Sequence, residues 1–183
     1  MALELARSHP EPALLDSMER YLSQMDTLVE DFLDYSRGIS TRSIEPVALG
    51  SWLDHLAQDM GAINTCTENP TVGIDPSALR RVLSNLIQNA HRHAPGASPE
   101  LRCTFSEQGI NLEVLDRGPG IPEGETETVF EPFVRLDPAR TSPGSGLGLA
   151  VVREVCRSHG WAIELRNRPE GGLTARLFIP WRG

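Results

Sequence analysis

Asn85, Asn89 and Arg92 stand four and three residues apart, so on a helix they share one polar stripe. Two side-chain amides and a guanidinium in line, beside an apolar face, suggest a ligand site. The same pattern also suits the polar flank of an ordinary amphipathic helix. Asp116 opens the turn DRGPGIP. Its carboxylate can accept a hydrogen bond from an exocyclic amine, and Gly118 and Gly120 would let a flat ligand approach the backbone. Equally, Asp116 can simply close its own turn. Residues 144–150, GSGLGLA, place glycines at a helix start, where free N–H groups and the helix dipole suit a phosphate. Arg135 and Arg140 could reach phosphate oxygens, and equally could be solvated surface residues.

The elements that position these residues follow from periodicity. Residues 75–93 read DPSALRRVLSNLIQNAHRH. Leu79, Val82, Leu83, Leu86, Ile87 and Ala90 recur at helical spacing, with Asp75 as N-cap and Pro76 at the first helical position. A helix over 51–60 is predicted from Trp52, Leu53, Leu56 and Met60, and a short edge strand over 44–49 is weakened by Pro46. Residues 61–74 hold two short strands at most. Leu101, Cys103 and Phe105 alternate, as do Ile110, Leu112 and Val114, which predicts a hairpin across Gln108 and Gly109. A helix through Val151, Val152, Val155 and Cys156 stops at Gly160. A last hairpin joins 161–166 to 173–180 across RNRPEGG. In VFEPFVRLD, Phe130 and Phe133 read either as anchors pinning a loop to the body or as plain core residues. The sum is helices on one face of a mixed sheet, a two-layer α/β sandwich.

Composition narrows the chemistry. At 183 residues the chain can bury one sizeable core and carry an appendage. The net charge of -8 argues against general nucleic-acid binding, which uses a basic face. All 17 basic residues are arginine, so a P-loop lysine and lysine-based covalent catalysis are excluded. Cys66, Cys103 and Cys156 are odd in number and form no CxxC pair. That spacing indicates neither a zinc ribbon nor a disulfide framework, and favours a reducing compartment. No apolar run reaches the ~20 residues of a membrane span, and no secretory signal is expected.

The chain before residue 44 reads as a separate unit. Residues 1–7 resemble the last turns of a helix, and SHPEP at 8–12 is a turn. From Leu15, the residues Met18, Leu22, Met25, Val29 and Phe32 keep a heptad seam, widened by Leu14, Tyr21, Leu28 and Tyr35. This seam predicts an intermolecular helical bundle over 1–37, followed by a linker over 38–43.

Taken together and in order, the motifs resemble those of bacterial sensor histidine kinases of two-component systems. NLIQNAHRH at 85–93 is similar to that family's N box, and DRGPGIP at 116–122 to its G1 box. FEPFVRLD at 130–137 resembles the F box, and GSGLGLA at 144–150 the G2 box. The resemblance implies a GHKL (Bergerat) ATP-binding fold over 44–183. Residues 1–37 would be the end of helix one, the turn and helix two of a dimerisation and phosphoacceptor domain.

The resemblance also implies roles. Asp116 would bind the adenine amino group, with Gly118, Gly120 and Ile121 shaping its pocket. Asn89 would ligate Mg²⁺ bridging the ATP phosphates, helped by Asn85. Arg92 would stand near the phosphates where the family often has lysine, and His93 where an aromatic often lies along the nucleoside. Gly144, Gly146 and Gly148 would let a lid fold over the phosphates, with Phe133, Arg140, Ser145 and Leu147 among its nucleotide contacts. Asn85, Asn89 and Arg92 would carry catalysis by positioning and charge neutralisation. The implied partners are a second copy of the chain through its N-terminal helices and the receiver domain of a response regulator. The implied setting is the cytoplasmic part of a bacterial inner-membrane protein, anchored through segments outside this chain.

One departure concerns the phosphoacceptor. None of His9, His55, His91, His93 or His159 lies in an H box, so the chain alone is expected to bind ATP without phosphorylating itself. Other readings are a nucleotide-sensing or dimerisation module without catalysis, or another ATPase of the same superfold, of gyrase, Hsp90, MutL or anti-sigma serine kinase type.

Overall fold

A computed structural model describes residues 43–136 and 145–181. The helical unit expected over 1–37, the linker up to 42, Arg140 and Gly144 lie outside the described residues. Among the described residues the frame is a mixed five-stranded sheet with helices against one face.

The elements are β1 (Glu45–Ala48), α1 (Leu49–Met60), β2 (Ile63–Asn64), β3 (Thr71–Ile74) and α2 (Pro76–His93). They are followed by β4 (Glu100–Phe105), β5 (Gly109–Leu115), a 3₁₀ turn (Thr128–Phe130), α3 (Gly148–His159), β6 (Ala162–Asn167) and β7 (Leu173–Pro180). The sheet runs β2-β4-β5-β7-β6, with β2 parallel to β4 and the other pairs antiparallel. β1 and β3 form a separate antiparallel pair.

Alternation decides which face is covered. Leu101 lies opposite Val114, and Val114 opposite Ala175, while Leu112 pairs with both Cys103 and Leu177. These positions continue one apolar surface from strand to strand, and the helices lie on it. The other face carries Arg102, Glu113, Arg176 and Glu164 in one cross-strand row of alternating sign. Such a row suits solvent and opposes stacking of a second apolar layer. The two-layer sandwich is therefore as the pattern predicts.

α2 packs against α3, α1 and β5. Its buried side chains are Ala78, Leu79, Val82, Leu83, Leu86, Ile87 and Ala90, the stripe read from its periodicity. Its start is over-determined. Asp75 caps it through Ser77 N (3.1 Å) and Ala78 N (3.0 Å), and also accepts from Ser43 N (3.2 Å). His159, at the last turn of α3, places Nε2 3.4 Å from the same carboxylate. Asp75 is only 5% exposed, and burial by itself would raise its pKa. The hydrogen bonds from Ala78, Ser43 and His159 outweigh burial and hold the carboxyl below its usual value.

Two expectations are corrected. Cys66 and Cys103 form a disulfide, with Cα atoms 5.1 Å apart. The parallel pairing of β2 on β4 continues through Thr65, whose amide donates to Leu101 O at 2.9 Å, and this carries Cys66 beside Cys103. Cysteine spacing thus held no sign of the bridge, and it does not argue for a reducing compartment. Phe133 does not anchor the segment that follows the 3₁₀ turn. Phe130 is buried at 4% exposure, under the guanidinium of Arg153 at 5.0 Å, whereas Phe133 is 64% exposed.

Candidate nucleotide site

A cavity of about 620 Å³ opens between α2, the loop after β5 and the start of α3. Its floor is apolar, formed by Leu86 and Ala90 of α2, Val114 of β5, Leu165 of β6, and Leu173 and Ala175 of β7. A flat apolar floor with polar groups at one rim is the usual form of a small-ligand site. Asn89, Arg92, His93, Asp116, Gly120, Ile121, Gly146 and Gly148 all line it, although they come from three separate stretches of sequence.

α2 supplies the polar wall. Asn89 Oδ1 accepts from Arg92 Nη1 at 3.1 Å, so these two residues are already oriented against each other. Asn85 is not among the lining residues. Its Nδ2 donates to Arg81 O at 2.9 Å, one turn back, which leaves Oδ1 turned toward α3. A Cβ on Gly148 would lie 2.9 Å from Asn85 Oδ1 and 3.8 Å from Asn89 Nδ2. Glycine at 148 thus allows the first turn of α3 to abut the asparagine stripe. Leu147 stands at the N-cap without a side-chain cap bond, so among the described residues the leading N–H groups of α3 keep their capacity for a ligand. Leu147 itself is buried in the core, and Ser145 Oγ accepts from Leu147 N at 3.1 Å; neither lines the cavity.

Asp116 sits where β5 ends. Its Oδ1 accepts from Gly118 N at 2.7 Å and from Leu173 N at 3.1 Å. Among the described residues both bonds fall on that oxygen, so Oδ2 is the acceptor left for a ligand. The turn-closing and ligand-binding readings of Asp116 are therefore compatible, one oxygen serving each. Gly118 shapes the turn from behind, with His93 O 3.0 Å from its would-be Cβ, and is not a lining residue. Gly120 (φ 76°) and Gly146 (φ 73°) adopt left-handed backbone that favours glycine.

The donor set fits a nucleotide with a hydrated cation. No group of three or more His, Cys, Asp or Glu side chains is placed to hold a metal among the described residues. A cation here would be held by the amide oxygen of Asn89, a hard oxygen donor of the kind Mg²⁺ accepts while keeping several waters. Arg135 also lines the cavity, and Phe133 does not.

The sequence predicts the RNRPEGG hairpin turn but gives it no part in the site. Asn167 and Arg168, at the end of β6, bond to the main chain of Ile121 and Asp116 respectively. Neither carries a motif. Only the pairing of β6 with β7 and of β7 with β5 brings that turn behind the loop.

Known proteins share this fold. Residues 74–183 match the family model described as histidine kinase-, DNA gyrase B-, and HSP90-like ATPase. The chain is 34% identical over 202 residues to sensor histidine kinase MtrB of Mycobacterium tuberculosis, covering 98% of the chain and 35% of MtrB. It superposes on full-length ShkA crystallised with AMPPNP with a TM-score of 0.73, at 26% identity, covering 93% of this chain and 38% of that one. The mycobacterial sensor histidine kinase MprB matches with a TM-score of 0.60 at 31% identity, covering 76% of this chain and 99% of that one. The chain thus spans about a third of the length of MtrB.

Proposed function

Because the chain belongs to the histidine kinase-, DNA gyrase B- and HSP90-like ATPase family, we propose that it binds ATP with Mg²⁺ and serves as the kinase domain of a sensor histidine kinase. Its described residues have the fold of a histidine kinase ATP-binding catalytic domain. The γ-phosphoryl group would pass to a histidine on a helical dimerisation domain and from there to an aspartate of a response-regulator receiver domain. Residues 1–37 would contribute to that dimerisation domain, with a second copy of the chain, and residues 44–183 would be the catalytic unit.

One observation carries the reading: Asn89 and Arg92 of α2, Gly146 and Gly148 at the entry of α3, and the carboxylate of Asp116 line one cavity. The Asp116 Oδ2 oxygen suits the exocyclic amine of adenine, and a 6-oxo purine would oppose acceptor to acceptor there. Arg92 and the leading amides of α3 suit the phosphates, where the arginine offers a fork in place of a point charge. A bound Mg²⁺ would neutralise phosphate charge. Asn89 would hold it, and Arg92 in turn holds Asn89 in place. Asn85 supports the stripe at the foot of α3 and meets the ligand less directly than its motif suggests. His93 lines the same cavity, and would lie along the nucleoside. The parent protein would lie at a bacterial inner membrane with this part on the cytoplasmic side. Among the described residues no helix is long and apolar enough to cross a membrane.

Calorimetric titration with ATP, with and without Mg²⁺, tests the site. Binding is expected for the whole chain, weakened about tenfold or more by Asp116→Ala, as loss of a charged hydrogen bond predicts. Asn89→Ala should remove the enhancement by Mg²⁺. Unchanged binding in both variants would refute the assignment. Since no histidine of the chain lies in an H box, labelled ATP should leave the chain itself unlabelled and label a separately supplied phosphoacceptor domain.

A further inference from the structure

Two consecutive residues of the β6–β7 turn grip the loop after β5 at both of its ends. Asn167 Nδ2 donates to Ile121 O at 2.7 Å, and Asn167 Oδ1 accepts from Ile121 N at 2.8 Å. A side-chain amide thereby satisfies both main-chain groups of one residue, as a strand partner would. Arg168 Nη1 donates to Asp116 O at 2.8 Å. Its guanidinium is held by Glu170 Oε1, through Nε at 3.1 Å and Nη2 at 2.6 Å, and the side chain is only 13% exposed. The main chain closes the same grip, with Asp116 N donating to Leu173 O at 2.9 Å.

The fit leaves little slack. A Cβ on Gly120 would lie 2.5 Å from Asn167 Oδ1, and one on Gly172 would lie 2.1 Å from Asp116 O. Ile121 and Gly120 line the cavity, and Asp116 is one of its polar groups. The distance between Ile121 and the carboxylate is therefore set from behind, by Asn167 at one end and Arg168 at the other.

On the reading that this cavity binds a purine nucleotide, we infer that Asn167, supported by Arg168, is a positioning residue that sets discrimination between 6-amino and 6-oxo purines. Asn167 suits the role by chemistry. Aspartate could not donate to Ile121 O, glutamine is one methylene too long, and serine has one short-reaching oxygen in place of two polar atoms spaced to meet both main-chain groups. Without the amide, Ile121 exchanges two protein hydrogen bonds for water and the loop loses its fixed offset from Asp116. A ligand that depends on Asp116 Oδ2 suffers, whereas one that gains nothing from that oxygen does not.

The test compares ATP with inosine triphosphate, which differ at the 6-position amine, on the whole chain. Asn167→Ala is expected to weaken ATP about tenfold, as loss of one well-made buried contact predicts, and to change inosine triphosphate about twofold at most. The preference for ATP should therefore collapse. Equal weakening of both nucleotides, or weakening of neither, would overturn the inference, the former marking a merely structural role. If Asn167→Ala does not fold, Asn167→Ser and Arg168→Gln take its place in the same comparison, and the same outcomes support or overturn the inference. Failure of the unaltered chain to bind ATP would instead overturn the reading of the cavity itself.

Discussion

The amide of Phe133 donates to the carbonyl of Gly146 at 3.0 Å, and both residues have left-handed backbone, with φ of 66° and 73°. A Cβ on Gly146 would lie 2.9 Å from both Cα and C of Phe133. The segment after the 3₁₀ turn is thus joined to the entry of α3 by backbone and not by the phenylalanine ring, which faces solvent. The contact lets Val134 and Arg135 share a cavity wall with Gly146.

Gly146→Ala should break this junction. The side chain meets both an unfavourable φ and the Phe133 main chain, so a loss of about 1–3 kcal/mol in stability is expected. ATP affinity should fall with it. Thermal unfolding and nucleotide titration of the same sample check both effects, and a variant with unaltered affinity would show that the junction does not shape the site.

The two phenylalanines should behave differently. Phe130→Ala removes a buried ring and should cost about 3–5 kcal/mol. Phe133→Ala removes an exposed ring and should stay within about 0.5 kcal/mol. Chemical denaturation of the pair measures the contrast; comparable losses would contradict the burial of one and exposure of the other.

Asp75 makes stability depend on pH in a definite direction. Its carboxyl titrates below the ordinary value because hydrogen bonds to Ala78, Ser43 and His159 outweigh the effect of burial. A depressed folded-state pKa contributes stability that is complete above the unfolded value, about 3.9, and is lost as pH falls through the folded value. Asp75→Ala should cost about 1–2 kcal/mol at neutral pH, the usual range for an N-cap. The gap between variant and parent should narrow below about pH 4. Denaturation across the range from neutral to acid pH gives the answer, and a gap that widened on acidification would reverse the assignment.

The three cysteines should separate by reactivity. Burial pushes the Cys156 thiol up to about 12, so it stays protonated and inert to alkylation in the folded chain. Native treatment with iodoacetamide should leave all three unmodified, and prior reduction should expose Cys66 and Cys103 only. Mass spectrometry after each step reads the result. Alkylation of Cys66 without a reductant would refute the bridge.

By itself the sequence determined the elements and the chemistry placed on them. Helical spacing in 75–93 marked both the buried stripe and the Asn85, Asn89 and Arg92 edge, because side-chain direction follows local backbone period. Alternation in β4, β5 and β7 marked the covered face of the sheet for the same reason, and the glycines of the two turns announced backbone that only they adopt easily. Tertiary structure decided what local period cannot encode. The Cys66–Cys103 bridge spans 37 residues and depends on β2 lying parallel to β4. The grip of Asn167 on Ile121 spans 46 residues and depends on β6 reaching the loop after β5 by way of β7. The exposure of Phe133 and the burial of Leu147 are set by which surface each backbone turn meets. Strand order and loop packing are long-range choices, made by the whole core at once, and no short stretch of sequence holds them.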